Sequence, residues 1–174
     1  MSRLRSSLAV VDLSNNNQGY ADDEPVSVIA LSGPIPEFFA EFHNLTVLQP
    51  SDPTTARSLP RSIFQLPELR VLDVSSNSDL AGSLPEELPD GSSLEVLILK
   101  ETQFSGQVPS SIGNVRRLKT LDISGSNGSR GIPASIGDLE SFIFLDLSSS
   151  GFQIGELPAA IGRLQSLSIT IRIS

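Results

Sequence analysis

The sequence predicts a solenoid of α/β type: a right-handed stack of coils with a concave parallel β-sheet and a convex side of mostly irregular and 3-10 segments. Three observations predict it. A proline preceded by an aliphatic residue recurs at Pro36, Pro60, Pro85, Pro109, Pro133 and Pro158, at intervals of 24, 25, 24, 24 and 25 residues. Nine residues after each proline stands a large apolar residue: Leu45, Leu69, Leu94, Leu118, Phe142 and Leu167. From the first five of these, the next inward positions fall three and five residues on, at Leu48 and Pro50, Leu72 and Val74, Leu97 and Leu99, Leu121 and Ile123, and Leu145 and Leu147.

The paired inward positions predict a short strand in each coil, and the proline segment predicts the return path. Apolar residues three after the prolines (Phe39, Ile63, Leu88, Ile112, Ile136, Ile161) and six after (Phe42, Leu66, Val115, Leu139, Leu164, with Gly91 the exception) line that path. Prolines at this frequency break any long amphipathic helix. One coil cannot stand alone, because six buried aliphatic side chains at ~1.5–3 kcal/mol each do not offset ~1–2 kcal/mol of backbone entropy for each of two dozen residues. Stacking supplies the missing wall. The spacing L-x-x-L-x-L-x-x-N is that of a leucine-rich repeat.

The expected domain is single, spanning 1–174, with about six to seven repeats starting near Leu8, Val26, Leu45, Leu69, Leu94, Leu118 and Phe142 and a partial strand from Leu167. An incomplete first copy reads Leu8, Val11, Leu13 and Asn16. Between Gly19 and Ala30 two readings stay open. Either an acidic loop with Asp22, Asp23 and Glu24 interrupts a copy, or a shortened copy uses Val26, Ile29 and Leu31, which leaves no exposed apolar run. The asparagine position of the repeat reads Asn16, Pro53, Asn77, Thr102, Ser126 and Ser150. An amide there is expected to bond the backbone of its turn and of the next coil, which Ser and Thr replace in part and Pro53 does not. Irregularity is expected over residues 50–57, where Pro50 and Pro53 remove strand donors.

Composition narrows the chemistry. With 12 Lys and Arg against 20 Asp and Glu, the net charge of −8 repels a phosphate backbone, so nucleic acid is not an expected partner. There is no cysteine, which removes disulfides, thiol catalysis and cysteine-based metal sites. His43 is the only histidine and sits in EFHNL on a return segment, away from the acidic strand positions. Asp122 and Asp146 would lie near one strand spacing apart, ~4.8 Å, but on a shallow face without a pocket. No catalytic residue, metal or cofactor is expected. The glycines Gly125, Gly128 and Gly131 read as a turn rather than a phosphate loop. No apolar run approaches the ~18 residues of a membrane span, so no direct membrane insertion is expected.

The stretches LSGPIPEFF from Leu31, LAGSLPEEL from Leu80, FSGQVPSSIGNVRRL from Phe104 and GIPASIGDLESF from Gly131, with LDVSSN and LDLSSS, resemble the plant-specific class of leucine-rich repeats. The chain looks like the ectodomain of plant receptor-like proteins and receptor kinases of the disease-resistance type. That resemblance implies a non-enzymatic scaffold for a peptide or protein in defence or development, with a receptor kinase or co-receptor carrying the signal. It implies the extracellular or plasma-membrane face, while the lack of a visible signal peptide keeps a cytoplasmic location open. The chain departs from the family in lacking cysteine caps and a kinase signature, and by stopping inside a repeat at Ser174 it reads as a fragment or truncated product. The same repeat occurs in plant polygalacturonase inhibitors and in some ice-binding proteins, which are the alternative functions.

Residues beside the inward leucines are expected to face the concave surface and to bind the partner. One row is Val10, Val47, Val71, Val96, Thr120 and Phe144; the other is Asp12, Gln49, Asp73, Ile98, Asp122 and Asp146. An apolar stripe flanked by carboxylates suits a partner with aliphatic contacts and Lys or Arg. Asn44 with Thr46 and Asn127 with Ser129 are glycosylation sequons. The terminal stretch SLSITIRIS, with its period-two alternation, is an open edge through which self-association is expected.

Overall fold

The computed structural model describes residues 28–29, 37, 41–49, 58–128, 131–150 and 157–170. Its strands, in chain order, are β1 (Val28–Ile29), β2 (Val47–Leu48), β3 (Val71–Asp73), β4 (Ala81–Gly82), β5 (Val96–Ile98), β6 (Gln103–Gly106), β7 (Thr120–Asp122), β8 (Asn127–Gly128), β9 (Phe144–Asp146) and β10 (Ser168–Thr170). Seven of them form one parallel sheet in the order β1-β2-β3-β5-β7-β9-β10. Its register places Ile29, Leu48, Leu72, Leu97, Leu121, Leu145 and Ile169 in a single row.

That row is the centre of the core. Leu48, Leu72, Leu97, Leu121 and Leu145 are each 0% exposed, so each gains the full ~1.5–3 kcal/mol of a buried aliphatic side chain. Stacked coils also share backbone bonds at the strand entry. The carbonyl of Arg70 accepts from Glu95 N–H and Val96 N–H at 2.8 and 2.9 Å, and the carbonyls of Thr46, Glu95 and Lys119 repeat the pattern. In the last coil Ile169 stands opposite Leu145. It follows Leu167 by two residues where Leu145 follows Phe142 by three, so the period-two ending joins the sheet one residue early.

Short 3-10 helices at Arg61–Gln65, Ser110–Asn114, Ala134–Asp138 and Ala159–Arg163 make the return path. Each follows a proline, whose missing N–H is not needed at a helix start. The carbonyls of Pro60, Pro109, Pro133 and Pro158 accept from Ile63, Ile112, Ile136 and Ile161 N–H at 3.0–3.1 Å. The coil of Pro85 has no such helix: Pro89 stands inside the segment, and Gly91 turns it with φ +76°. Its open backbone is satisfied from the next coil, because Leu88 N–H donates to Ser111 Oγ at 3.0 Å and Ser111 Oγ donates to the Glu86 carbonyl at 2.7 Å. Ser135 occupies the same place one coil on. There Ile112 N–H is already bonded inside its own helix, and the buried Ser135 hydroxyl has no hydrogen-bond partner among the described residues.

The helices stack through glycine. A Cβ on Gly113 would lie 2.9 Å from the Ser135 Cβ and carbonyl oxygen, and one on Gly137 would lie 2.5 Å from the Ala160 carbonyl oxygen. Gly162 occupies the equivalent place in the helix Ala159–Arg163, and a Cβ there would meet no atom of the described residues within 4 Å.

On the flank, β4, β6 and β8 form a second parallel sheet of three strands. The glycine run therefore is not wholly a turn: Gly125 turns the chain with φ +65°, but Gly128 pairs with Gly106. The asparagine position also differs from expectation. Asn77, 1% exposed, donates to the Val74 and Ser75 carbonyls at 2.8 and 3.0 Å, both in its own turn, and its Oδ1 has no protein partner. Thr102 donates to the Leu99 carbonyl at 2.7 Å and Ser126 to that of Ile123 at 2.5 Å; Ser150 makes the same bond to Leu147. Each hydroxyl keeps the bond to the third inward residue and loses the second. The irregularity expected at residues 50–57 and the first copy from Leu8 lie outside the described residues.

Candidate functional site

The outward side chains of the coils of β2, β3, β5, β7 and β9 form three rows. The first comes from the residue after each leading apolar position, and the shared backbone bonds align Thr46, Arg70, Glu95, Lys119 and Ile143. The second is the predicted row Val47, Val71, Val96, Thr120 and Phe144, and the register places all five side by side. The third holds Asp73, Ile98, Asp122 and Asp146, again in register; Gln49 follows β2 directly. All of the second and third rows are half-buried. Val10 and Asp12 lie outside the described residues. Of the other predicted positions, Asn44 and Asn127 are exposed, Asn44 in a turn and Asn127 in β8, and His43 is exposed beside Asn44.

The three aspartates of the third row also hold the strand exits. Asp73 Oδ1 accepts from Ser75 N–H at 3.0 Å, Asp122 Oδ1 from Ser124 N–H at 3.0 Å and Ser124 Oγ at 2.6 Å, and Asp146 Oδ1 from Ser148 N–H at 2.9 Å and Ser148 Oγ at 2.5 Å. A short polar side chain bonding two residues ahead is an ordinary turn device. The recurrent Asp thus has a structural use, which occupies one oxygen of each carboxylate and leaves the row acidic.

The first row was not singled out in the sequence. Arg70 Nε meets Glu95 Oε1 at 2.8 Å and Lys119 Nζ meets Glu95 Oε2 at 2.6 Å, an ion ladder across three coils. Its signal was legible as alternating sign at intervals of 25 and 24 residues. Burial pushes the Glu95 carboxyl up, but the hydrogen bonds and charges of Lys119 and Arg70 outweigh that and hold it below the ordinary carboxylate range. A depressed folded-state value means that the ladder stabilises the fold at neutral pH and that this contribution is lost as pH falls through it. Both cations are about half exposed, so Glu95→Gln should cost less than about 1 kcal/mol. In thermal melts the difference from the parent should shrink in high salt and vanish in acid, and a pH-independent difference would contradict the ladder.

No group of three or more His, Asp or Glu side chains converges as a metal site among the described residues. An apolar cleft on the flank, lined by Leu84, Leu99, Phe104, Val108, Ile123 and Ser126 among others, has a volume of about 20 Å³. It has room for one water, far below the several hundred Å³ of a small-molecule pocket. No helix among the described residues is long and apolar enough to cross a membrane.

A family model described as Leucine Rich Repeat matches residues 117–139, from the entry of β7 through the following 3-10 helix. No curated protein sequence matches the chain significantly. Solved structures do. The plant peptide hormone receptor RGFR1, determined in complex with RGF2, is 31% identical with a TM-score of 0.69 over 83% of this chain and 23% of the receptor chain. A TDR receptor is 29% identical with a TM-score of 0.66, covering 83% of this chain and 25% of that one. The leucine-rich-repeat protein LIC12759 of Leptospira interrogans, at 24% identity and TM-score 0.67 over 97% of this chain and 38% of its own, shares the fold. The chain spans about a quarter of the length of the two receptors. Repeat spacing, sheet register and structural likeness agree: the chain has the leucine-rich-repeat fold and is similar to the plant peptide hormone receptor RGFR1 and to a TDR receptor.

Proposed function

We propose that the chain is a non-enzymatic scaffold that binds a peptide or an extended protein segment along its concave sheet. One observation carries this reading: the outward rows of β2, β3, β5, β7 and β9 form a continuous, side-chain-rich face with register fixed from coil to coil. Such a face offers an extended partner regular contacts without rearrangement of the scaffold. The structural likeness to RGFR1 and TDR, one of them a peptide hormone receptor by description, supports it. The contact residues are those of the two predicted rows, with the ion ladder beside them. A receptor kinase or co-receptor fits as the second partner, and the open edge of β10 as a place where copies of the chain associate at high concentration.

The test is retention of peptides from a fractionated plant extracellular pool, read by mass spectrometry. Val96→Glu places a charge in the middle of the concave face and should abolish retention, while Gln103→Glu on the flanking sheet should leave it unchanged. Retention that survives Val96→Glu, or fails equally in both variants, would remove the concave face from the function.

A further inference from the structure

The concave face is not uniform, and its two halves differ in what they leave for a ligand. Toward β3 and β5, the charged row is engaged internally, since Glu95 pairs with both Arg70 and Lys119. Toward β9 the same row ends in Ile143, 45% exposed and the one exposed large hydrophobic residue among those described. Phe144 follows it, half-buried, in the second row. Along the same strand, two residues on, Asp146 lies in register with Asp122 of β7. No ion pair reaches either aspartate among the described residues. In the third row Ile98 separates Asp73 from Asp122, so Asp122 and Asp146 are the adjacent pair, one strand spacing (~4.8 Å) apart.

We propose that Ile143, Phe144, Asp122 and Asp146 form the anchoring subsite for an extended peptide segment that carries an apolar side chain and, two residues away, a Lys or Arg. This inference rests on the reading that the concave sheet binds peptides, and it names where and with what chemistry. The apolar side chain covers Ile143 and Phe144, which water otherwise reaches. The cation sits between two carboxylates that repel each other and have no positive partner among the described residues. The spacing follows from the strand: Phe144 and Asp146 are two residues apart, ~7 Å along the sheet, and side chains two apart in an extended ligand share a face at the same separation. The chain's net charge of −8 adds attraction for a basic segment at encounter.

The experiment uses fluorescent ten-residue peptides on a Gly/Ser background and reads anisotropy. A Leu-x-Arg peptide should bind tightest, with about tenfold loss for Leu-x-Glu and for Ser-x-Arg. On the protein, Ile143→Ser and the double change Asp122→Asn with Asp146→Asn should each reproduce that loss. The asparagines keep an oxygen for Ser124 and Ser148, and Ile143 is exposed, so all variants should melt like the parent; Gln103→Glu on the flanking sheet should change binding less than twofold. If Leu-x-Glu binds as well as Leu-x-Arg, or Ile143→Ser binds the Leu-x-Arg peptide like the parent, the subsite is wrong while the concave reading stands. If none of these peptides binds although the extracellular pool is retained in a Val96-dependent way, the stated ligand chemistry is wrong. If neither binds, both fail.

Discussion

Replacing Gly137 by alanine should destabilise the protein by about 2–4 kcal/mol, whereas the same change at Gly162 should stabilise it by about 0.5–1 kcal/mol. Both glycines occupy the same place in successive 3-10 helices and neither has a left-handed backbone, so alanine suits the local conformation equally at both. The difference is what stands opposite. A Cβ on Gly137 would lie 2.5 Å from the Ala160 carbonyl oxygen and 2.8 Å from its Cβ, and the backbone that carries them must move away. Pushing that helix outward also loosens Leu157, Ile161 and Leu164, which pack on the core from the same coil. At Gly162 no atom is met within 4 Å, and the remaining effect is the reduced freedom of the unfolded chain. Urea melts of the two variants check this, and coincident midpoints would mean that the coils are not in close contact through these glycines.

Leu121→Ala should cost about 2–5 kcal/mol, the range for a fully buried leucine whose site cannot collapse. Leu121 is 0% exposed and its row is pinned from both sides by Leu97 and Leu145, so neighbours cannot close the void without shifting two strands. Since strands contact only adjacent coils, the damage should stay local in sequence but divide the array: coils before and after β7 lose their shared wall. Hydrogen exchange should then show the amides of β5, β7 and β9 opening first. Leu164→Ala, in the half-buried last coil, should cost no more than about 1 kcal/mol. Equal losses at the two positions would contradict a core organised coil by coil.

The fold was legible because its cause is periodic. Leucines at three- and five-residue steps set the strand row, and prolines at 24- and 25-residue intervals set the helix starts, so position alone gave the register of β2, β3, β5, β7 and β9, while β10 joins one residue early. What escaped was held by backbone or by neighbours a full coil away. The flanking sheet is built from Ala81–Gly82, Gln103–Gly106 and Asn127–Gly128, where, apart from the buried Phe104, the residues are small or polar with no strand preference of their own; they pair because stacking has already brought them together. The loop at Pro85 had a local signal in Pro89, but its repair by Ser111 lies one coil on. The alignment of the two outward rows was legible for the same periodic reason. The use of Asp73, Asp122 and Asp146 as turn braces was also present in the recurring Asp-x-Ser. The ladder of Arg70, Glu95 and Lys119 left a fainter signal, alternating sign at intervals of 25 and 24 residues, which acquires meaning only once the coils are counted.

Contacts confined to adjacent coils have a mechanical consequence. A chain built this way resembles a spring whose turns are closed by separate latches, and tension applied along its axis loads each latch in turn rather than all at once. Held between two beads, it should lengthen in increments of one coil, each releasing about two dozen residues, or roughly 80 Å of extended chain.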